Sequence, residues 1–587
     1  MPRFEPKLLA RFPWATFGRA ELPGEFFQKI EEQETRAALF PDAVRFSLVS
    51  TVDHLEGLEQ AARTWESLLL QSYPRWEVWV AAEGKLREQL ALPNDPRFHF
   101  LPILPGTSCA EAKNLALAQA TGDWAGVVSA GDVLSPSALY QLAWEIGREP
   151  SAEAFYTHEV GLRANGELGN FFSKCRWSAW TLAHWNYVGR FWIAKRTPDL
   201  FFEEAGGAEE QLALWRCGQR GGVGLVPQFL YYGLRSGTWN EPSPLAQRAI
   251  EKALQEHDRH LTLERVAVSG RDRLRLVPGG RTPRVSAVIC FRDRAEMTLR
   301  ALRSLLNLRG GVELDVVLVD NESSAEQRAQ IEALLPTWPV PVKLVSFPGA
   351  FNYNRMHNWA VREHTTADLV LLLNNDVELK EGSLEYWARV AAVPNVASTG
   401  ILLRFTHGGV QHAGIRAWFG GEARVARIGN AHFDDAMTFE SREVFANTFA
   451  ACLVQRAALD AVGGLRERDL VNGFGDVAFC FEAKRLGWRH VYLGSVMGIH
   501  QEGSSRGKQP YEYWEECGIE REYPSLLQRM LREDLGFNRV PSADYAVFPF
   551  LVQALKVYFR RHSRWLDPVK PWIKKQLIRV TPARDSA

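Results

Sequence analysis

The sequence predicts an α/β protein made of two tandem domains, each an open, mainly parallel sheet with helices on both faces. Three observations carry this. Leu369-Val370-Leu371-Leu372-Leu373 is an unbroken aliphatic run that ends in Asn374-Asn375-Asp376. Alternation disappears when helices cover both sides of a strand, and ligands bind at the carboxyl end of such strands. The order strand, helix, strand, acidic turn, helix, strand, acidic end then occurs twice along the chain, at a spacing of about two hundred residues, an ordinary domain size. A chain of 587 residues, 46% of them hydrophobic, is long and apolar enough for two full cores.

In the first copy, Phe46-Ser47-Leu48-Val49-Ser50-Thr51 reads as a strand, and a helical pattern runs through Trp65, Leu68 and Leu69. Glu77 to Ala81 is the second strand of a βαβ unit, Ala110 to Ala120 is an Ala/Leu-rich helix, and Trp124 to Val128 runs into Ser129-Ala130-Gly131-Asp132. Leu225 to Tyr232 is a later strand and Ala249 to Leu261 a connecting helix. Arg271 to Pro283, with its Gly, Pro and Arg residues, reads as a boundary. The second copy opens with Val285 to Cys290, followed by a helix that places Met297, Ala301 and Leu305 on one face. Val316 to Val319 then delivers Asp320-Asn321-Glu322-Ser323-Ser324 to the same sheet edge as Asp376. The expected organisation is an N-terminal arm (1–40), a first domain (41–240), a linker (241–283), a second domain (284–510) and a helical, basic C-terminal tail (511–587).

The totals exclude several classes. Sixty-nine basic residues balance 69 acidic ones, so nothing in the net charge points to a nucleic-acid partner. Seven scattered cysteines without a Cys-x-x-Cys pair disfavour a disulfide framework or a structural zinc, and fit a reducing compartment. No Gly-x-Gly-x-x-Gly follows an expected strand, which argues against a dinucleotide-dependent oxidoreductase. No run resembles a signal peptide or reaches the roughly 18 apolar residues that span a bilayer, so a cytoplasmic protein, soluble or peripheral at the membrane, is expected. In the tail, basic residues from Arg560 to Arg579 interleave with Trp565, Trp572, Ile573, Leu577 and Ile578. This suits an anionic membrane surface or a solvated helix packed on the protein.

Asp376 at the end of a rigid strand suits a hard divalent cation that also takes phosphate oxygens, and it equally suits a capping turn. Asp476 precedes Val477 to Leu486, whose spacing predicts a helix with Asp476 at its N-terminus. There it is either a general base kept ionised by the helix dipole or a plain N-cap.

Several fragments resemble the family-2 glycosyltransferases of GT-A fold, in particular tandem-domain members of rhamnosyltransferase type. They are Val319 to Ser324, Leu373 to Asp376, Val410-Gln411-His412-Ala413-Gly414, Ala450 to Leu453, Gly475 to Cys480 and His500 to Gly507. The resemblance implies two tandem GT-A domains and a nucleotide-sugar donor. It implies inverting transfer to a glycan or lipid-linked glycan acceptor in surface polysaccharide (O-antigen or cell-wall) synthesis, with Mg²⁺ or Mn²⁺ as cofactor. It makes Asp376 and His500 metal ligands, Asp476 the base, and Asp320, Asn321, Asn354, Asn358, Asn375 and Arg506 nucleotide-binding residues. It also places Trp418, Gly420 and Gly421 in a segment that shapes the acceptor pocket. The chain departs from the pattern where Ala478 replaces a second acid and Gln501 a second histidine. The first copy is weaker at the same stations: Ala82 and Glu83 replace the nucleotide-binding acid, only Asp132 survives of the metal motif, and Glu209-Glu210 stand for the base. Three readings follow: an active second domain beside an inactive first one, two active domains, or a carbohydrate-binding scaffold.

Overall fold

A computed structural model describes residues 44–501, apart from 53–54, 164–167, 173, 235–242, 269–270, 348, 421–424, 431–437 and 471–472, together with a few residues between 522 and 530. The N-terminal arm, Arg506 and the basic tail lie outside the described residues.

The chain forms two large mixed sheets of the same topology. In the second, the order is Val342–Ser346, Leu314–Asp320, Val285–Phe291, Leu369–Leu373, Ala451–Gln455, Val396–Arg404, Arg489–His500, Val377–Glu381. The first four strands are parallel, and Ala451–Gln455 enters antiparallel to Leu369–Leu373. In the first sheet, Phe98–Ile103, Trp76–Glu83, Phe46–Thr51, Trp124–Val127, Trp192–Lys195, Ala152–Leu162, Gly222–Gly233 and Val133–Leu134 follow one another in the corresponding order. The repeat read from strand-end acids is therefore a repeat of sheet topology, and the fold is that of two GT-A-like units.

The aliphatic strand Leu369–Leu373 is buried along its whole length because two layers cover it. Leu369, Leu371 and Leu373 pack with Leu299, Leu302 and Leu305 of the helix Ala295–Leu308 on one side. Val370 and Leu372 pack with Met356 and Ala360 of Tyr353–His364 and with Val477 and Phe481 of Gly475–Arg485 on the other. Each such side chain gains about 1.5–3 kcal/mol on burial, so the strand is a stiff support for the polar residues that follow it.

The stretch between the sheets is more than a linker. It forms the helix Pro244–His257 and an antiparallel hairpin, Leu261–Val268 with Arg271–Pro278. Leu263, Leu274 and Leu276 of the hairpin pack into the first core, while Val277 packs into the second. The Arg275 guanidinium stacks 4.2 Å from the centre of the Tyr386 ring, and Arg273 pairs with Glu440 at 2.6 Å. Numerous arginines on the outward positions of a two-residue alternation gave the hairpin the composition of a linker.

Candidate active site

Three groups of polar side chains gather where the strands of the second sheet end. At the first, Asp320 closes Leu314–Asp320 opposite Phe291. Its carboxylate accepts the Ser323 N–H at 3.0 Å and the Arg328 Nη1 at 2.9 Å, and the same guanidinium nitrogen reaches Ser346 Oγ at 2.6 Å. The beginning of Ala325–Glu332 is thus drawn against the sheet edge by a charge-assisted bond. Asn321 donates its Nδ2 to the Gly349 carbonyl at 2.9 Å, while its buried Oδ1 has no hydrogen-bond partner.

At the second, Asp376 lies between Leu369–Leu373 and Val377–Glu381. Val377 pairs with His500, the last residue of Arg489–His500, and this register brings the His500 Nε2 to 3.2 Å from Asp376 Oδ1. The other ring nitrogen, Nδ1, sits 2.8 Å from the side-chain oxygen of Gln411 on the short strand Val410–His412. An amide oxygen can only accept, so Nδ1 donates to it and Nε2 is the nitrogen that faces the carboxylate. A carboxylate and a ring nitrogen at that distance have the spacing to share a cation, and a histidine held through its other nitrogen is the usual arrangement at a metal. Asn375 donates to Thr298 Oγ1 at 3.3 Å, and Asn374 N–H to the Ala450 carbonyl at 2.8 Å. These amides hold the turn in place. Among the described residues no three His, Cys, Asp or Glu side chains gather as a complete metal site. Asp376 and His500 would supply two ligands and leave positions open for a diphosphate, so the donor set fits Mg²⁺ or Mn²⁺.

At the third, Asp476 is the second residue of the helix Gly475–Arg485, as its sequence spacing predicts. Its oxygens accept the N–H of Val477 at 2.8 Å and of Phe449 at 3.2 Å. Burial pushes the carboxyl above its ordinary range, and these two N–H groups and the Thr448 side chain only partly offset it. The Asp476 carboxylate is thus half-buried, fixed in orientation and raised in proton affinity, the properties that a general base needs. The second and third groups are neighbours, because Ala450 receives Asn374 and Phe449 binds Asp476 within one turn of chain.

Asn354 and Asn358, expected at the nucleotide, bond to the backbone of the segment Leu465 to Leu470. The Nδ2 of Asn354 donates to the carbonyls of Arg466 at 2.7 Å and Leu470 at 2.6 Å. Asn358 exchanges two bonds of 2.8 Å with the backbone of Leu465. Both clamp the segment that leads into the helix Gly475–Arg485. Gly475 fits there because a Cβ would stand 2.3 Å from the Asn354 amide. The sequence reading recovered the face that these two residues share but not what it meets. It also gave no role to Gln411 and Arg328, which only long-range register brings to the site. Trp418 lies on the strand Ile415–Gly420, with its side chain and Gly421 outside the described residues.

Residues 286–462 match the family model described as glycosyl transferase family 2. The match falls within the second repeat. Over 480 residues the chain is 29% identical to the O-antigen biosynthesis protein RfbC of Myxococcus xanthus, covering 76% of this chain and 37% of that protein. Over 473 residues it is 27% identical to the uncharacterized protein y4gI of Sinorhizobium fredii, covering 76% and 52%. The chain thus spans about half or less of the length of these relatives. Among solved structures, GalNAc-T7 with UDP, GalNAc and Mn²⁺ is similar at a TM-score of 0.35 and 11% identity, over 50% of this chain and 58% of that one.

Proposed function

We propose that the second repeat transfers a glycosyl group from a nucleoside diphosphate sugar to a hydroxyl of a glycan acceptor, with inversion, in the assembly of a surface polysaccharide. The observation that carries this reading is the short bridge Thr448–Ala450, which holds the Asp376 turn and the Asp476 carboxylate side by side. Asp476 accepts the proton of the acceptor hydroxyl as its oxygen forms a bond to the anomeric carbon. The bond from that carbon to the diphosphate breaks on the opposite face, and the leaving nucleoside diphosphate keeps the electron pair. Asp320 and Asn321 receive the base and ribose, with the buried Asn321 Oδ1 available to a donor group of the nucleoside. Asp376 and His500 would hold a divalent cation, which would supply charge neutralisation for the leaving diphosphate. Arg506 adds a phosphate contact by resemblance alone. The O-antigen name of the M. xanthus relative supports the acceptor class.

The acceptor is a glycan, free or lipid-linked, and the basic tail keeps the protein at the cytoplasmic face of an anionic membrane. Among the described residues no helix is long and apolar enough to cross a bilayer. Co-sedimentation with phosphatidylglycerol vesicles tests the tail, and a full chain that stays in the supernatant refutes its role. The reaction itself is tested with a panel of nucleotide sugars and Mn²⁺ or Mg²⁺. Turnover that Asp476→Asn abolishes supports the reading, and turnover unchanged in that variant overturns it.

A further inference from the structure

The two sheets share one topology, so their stations can be compared residue by residue, and the first repeat carries cations of its own where the second leaves room for one. Lys195 faces Trp124, and Gln455 faces Leu369, in equivalent antiparallel pairs. Five residues before each lie Arg190 and Ala450, so a guanidinium stands where the second repeat has a methyl group beside its metal-motif turn. Asp132 immediately precedes Val133–Leu134 as Asp376 precedes Val377–Glu381, and the residue facing the first of these strands is Tyr232 in place of His500. No histidine therefore stands at this register position of the first repeat.

Asp132 is also fully engaged. Its carboxylate accepts the Tyr231 hydroxyl and the Leu234 N–H at 2.8 Å, with Arg190 Nε at 3.9 Å. At the base station, the second residue of the helix Glu209–Arg220 is Glu210, which pairs with Lys113. Lys113 and His357 each lie five residues after the helix N-cap, Ser108 or Asn352. The next residue in each helix anchors the comparison, since Asn114 exchanges two bonds with the backbone of Phe202 as Asn358 does with Leu465.

We infer that Arg190 takes the place of the metal ion in the first repeat, whose site is neutralised from within and accepts no divalent cation. A cation entering there would meet the Arg190 guanidinium, paired with Asp132 at 3.9 Å, and would have to displace two hydrogen bonds to Asp132. Asp132 is buried while Arg190 is partly exposed, so removing the guanidinium would strand a buried carboxylate, and the pair is retained by that cost. Of the two corresponding stations among the described residues, only the one in the second repeat then has room for a divalent ion. This count is independent of which sugar the second repeat transfers.

Free Mn²⁺ measured by electron paramagnetic resonance, titrated into the full chain with UDP or GDP present, tests this. The expected result is at most one Mn²⁺ per chain, lost in Asp376→Asn and retained with unchanged affinity in Asp132→Asn. A second equivalent, or one that disappears in Asp132→Asn, overturns the inference. Zero bound Mn²⁺ leaves the first-repeat inference standing and refutes instead the metal role given to Asp376 and His500. The stand-in role has its own readout in thermal unfolding. Arg190→Gln should lower the melting midpoint, and Asp132→Asn added to it should recover part of the loss by removing the stranded carboxylate. A double variant that melts below Arg190→Gln alone rules the stand-in role out.

Discussion

Asp476 is held by two backbone N–H groups and pushed above the ordinary carboxyl range by burial. A base works only when ionised, so the acid limb of kcat/KM should lie above the ordinary aspartate value of about 3.9, with activity falling as pH drops through it. An acid limb at or below that value would remove Asp476 from the role. Asp476→Asn should cost about 10²–10⁴ in kcat while donor binding persists, read by steady-state kinetics and calorimetry together. Gln411 bonds to His500 Nδ1 and so orients the ring whose Nε2 faces Asp376. Gln411→Leu should therefore weaken Mn²⁺ binding about 10–100-fold, visible by calorimetry, whereas Gln411→Glu, still an acceptor, should keep most of it. Equal loss in both variants would show that Gln411 merely packs. Asp376 and Asp476 were legible in the sequence because each stands at the end of an element whose type is plain from its pattern. Gln411 and Arg328 were not, since strand register across about 90 residues and a helix turn folded back on Asp320 decide their positions.

At the scale of elements, the segments that enter the two base helices are fastened in the same way. Asn358 makes a pair of bonds to Leu465, and Asn114 makes the matching pair to Phe202. Leaving buried backbone groups unpaired costs about 1–3 kcal/mol each, so Asn358→Ala and Asn114→Ala should destabilise the chain to a similar extent in chemical denaturation. Their effects on transfer should differ, with Asn358→Ala lowering kcat because the Asp476 helix loses its anchor. Asn114→Ala should leave kcat unchanged. Loss of turnover in both would mean that the first repeat contributes to chemistry. The helix Tyr353–His364 illustrates what a pattern conveys and what it omits. Asn354 and Asn358, one turn apart, do share a face, but whether that face meets a ligand or a neighbouring loop is a tertiary fact.

At the scale of the whole molecule, the repeats are joined by the Leu261–Val268 and Arg271–Pro278 hairpin and by charged groups buried against it. Burial pushes His184 of the first repeat down to about 4, although backbone at Trp180 and at Ser441 of the second repeat supports its protonated form. Burial pushes His490, inside the second repeat between Ser398 and the Cys480 carbonyl, down to about 3. A histidine depressed in the folded state keeps its full contribution above the unfolded value of about 6.5 and loses it as pH falls toward the folded value. Each should therefore remove up to about 1.4 kcal/mol of stability per pH unit below 6.5. Glu440 acts in the opposite sense, because burial raises it to about 7 despite Arg273 and Arg442, so the folded state already holds its proton at acid pH. Two histidines outweigh one glutamate, and the unfolding free energy should fall between pH 6.5 and 4.5. His184→Gln should flatten part of that slope, as urea titrations at several pH values would show. A slope that His184→Gln leaves untouched would mean that His184 is protonated without strain.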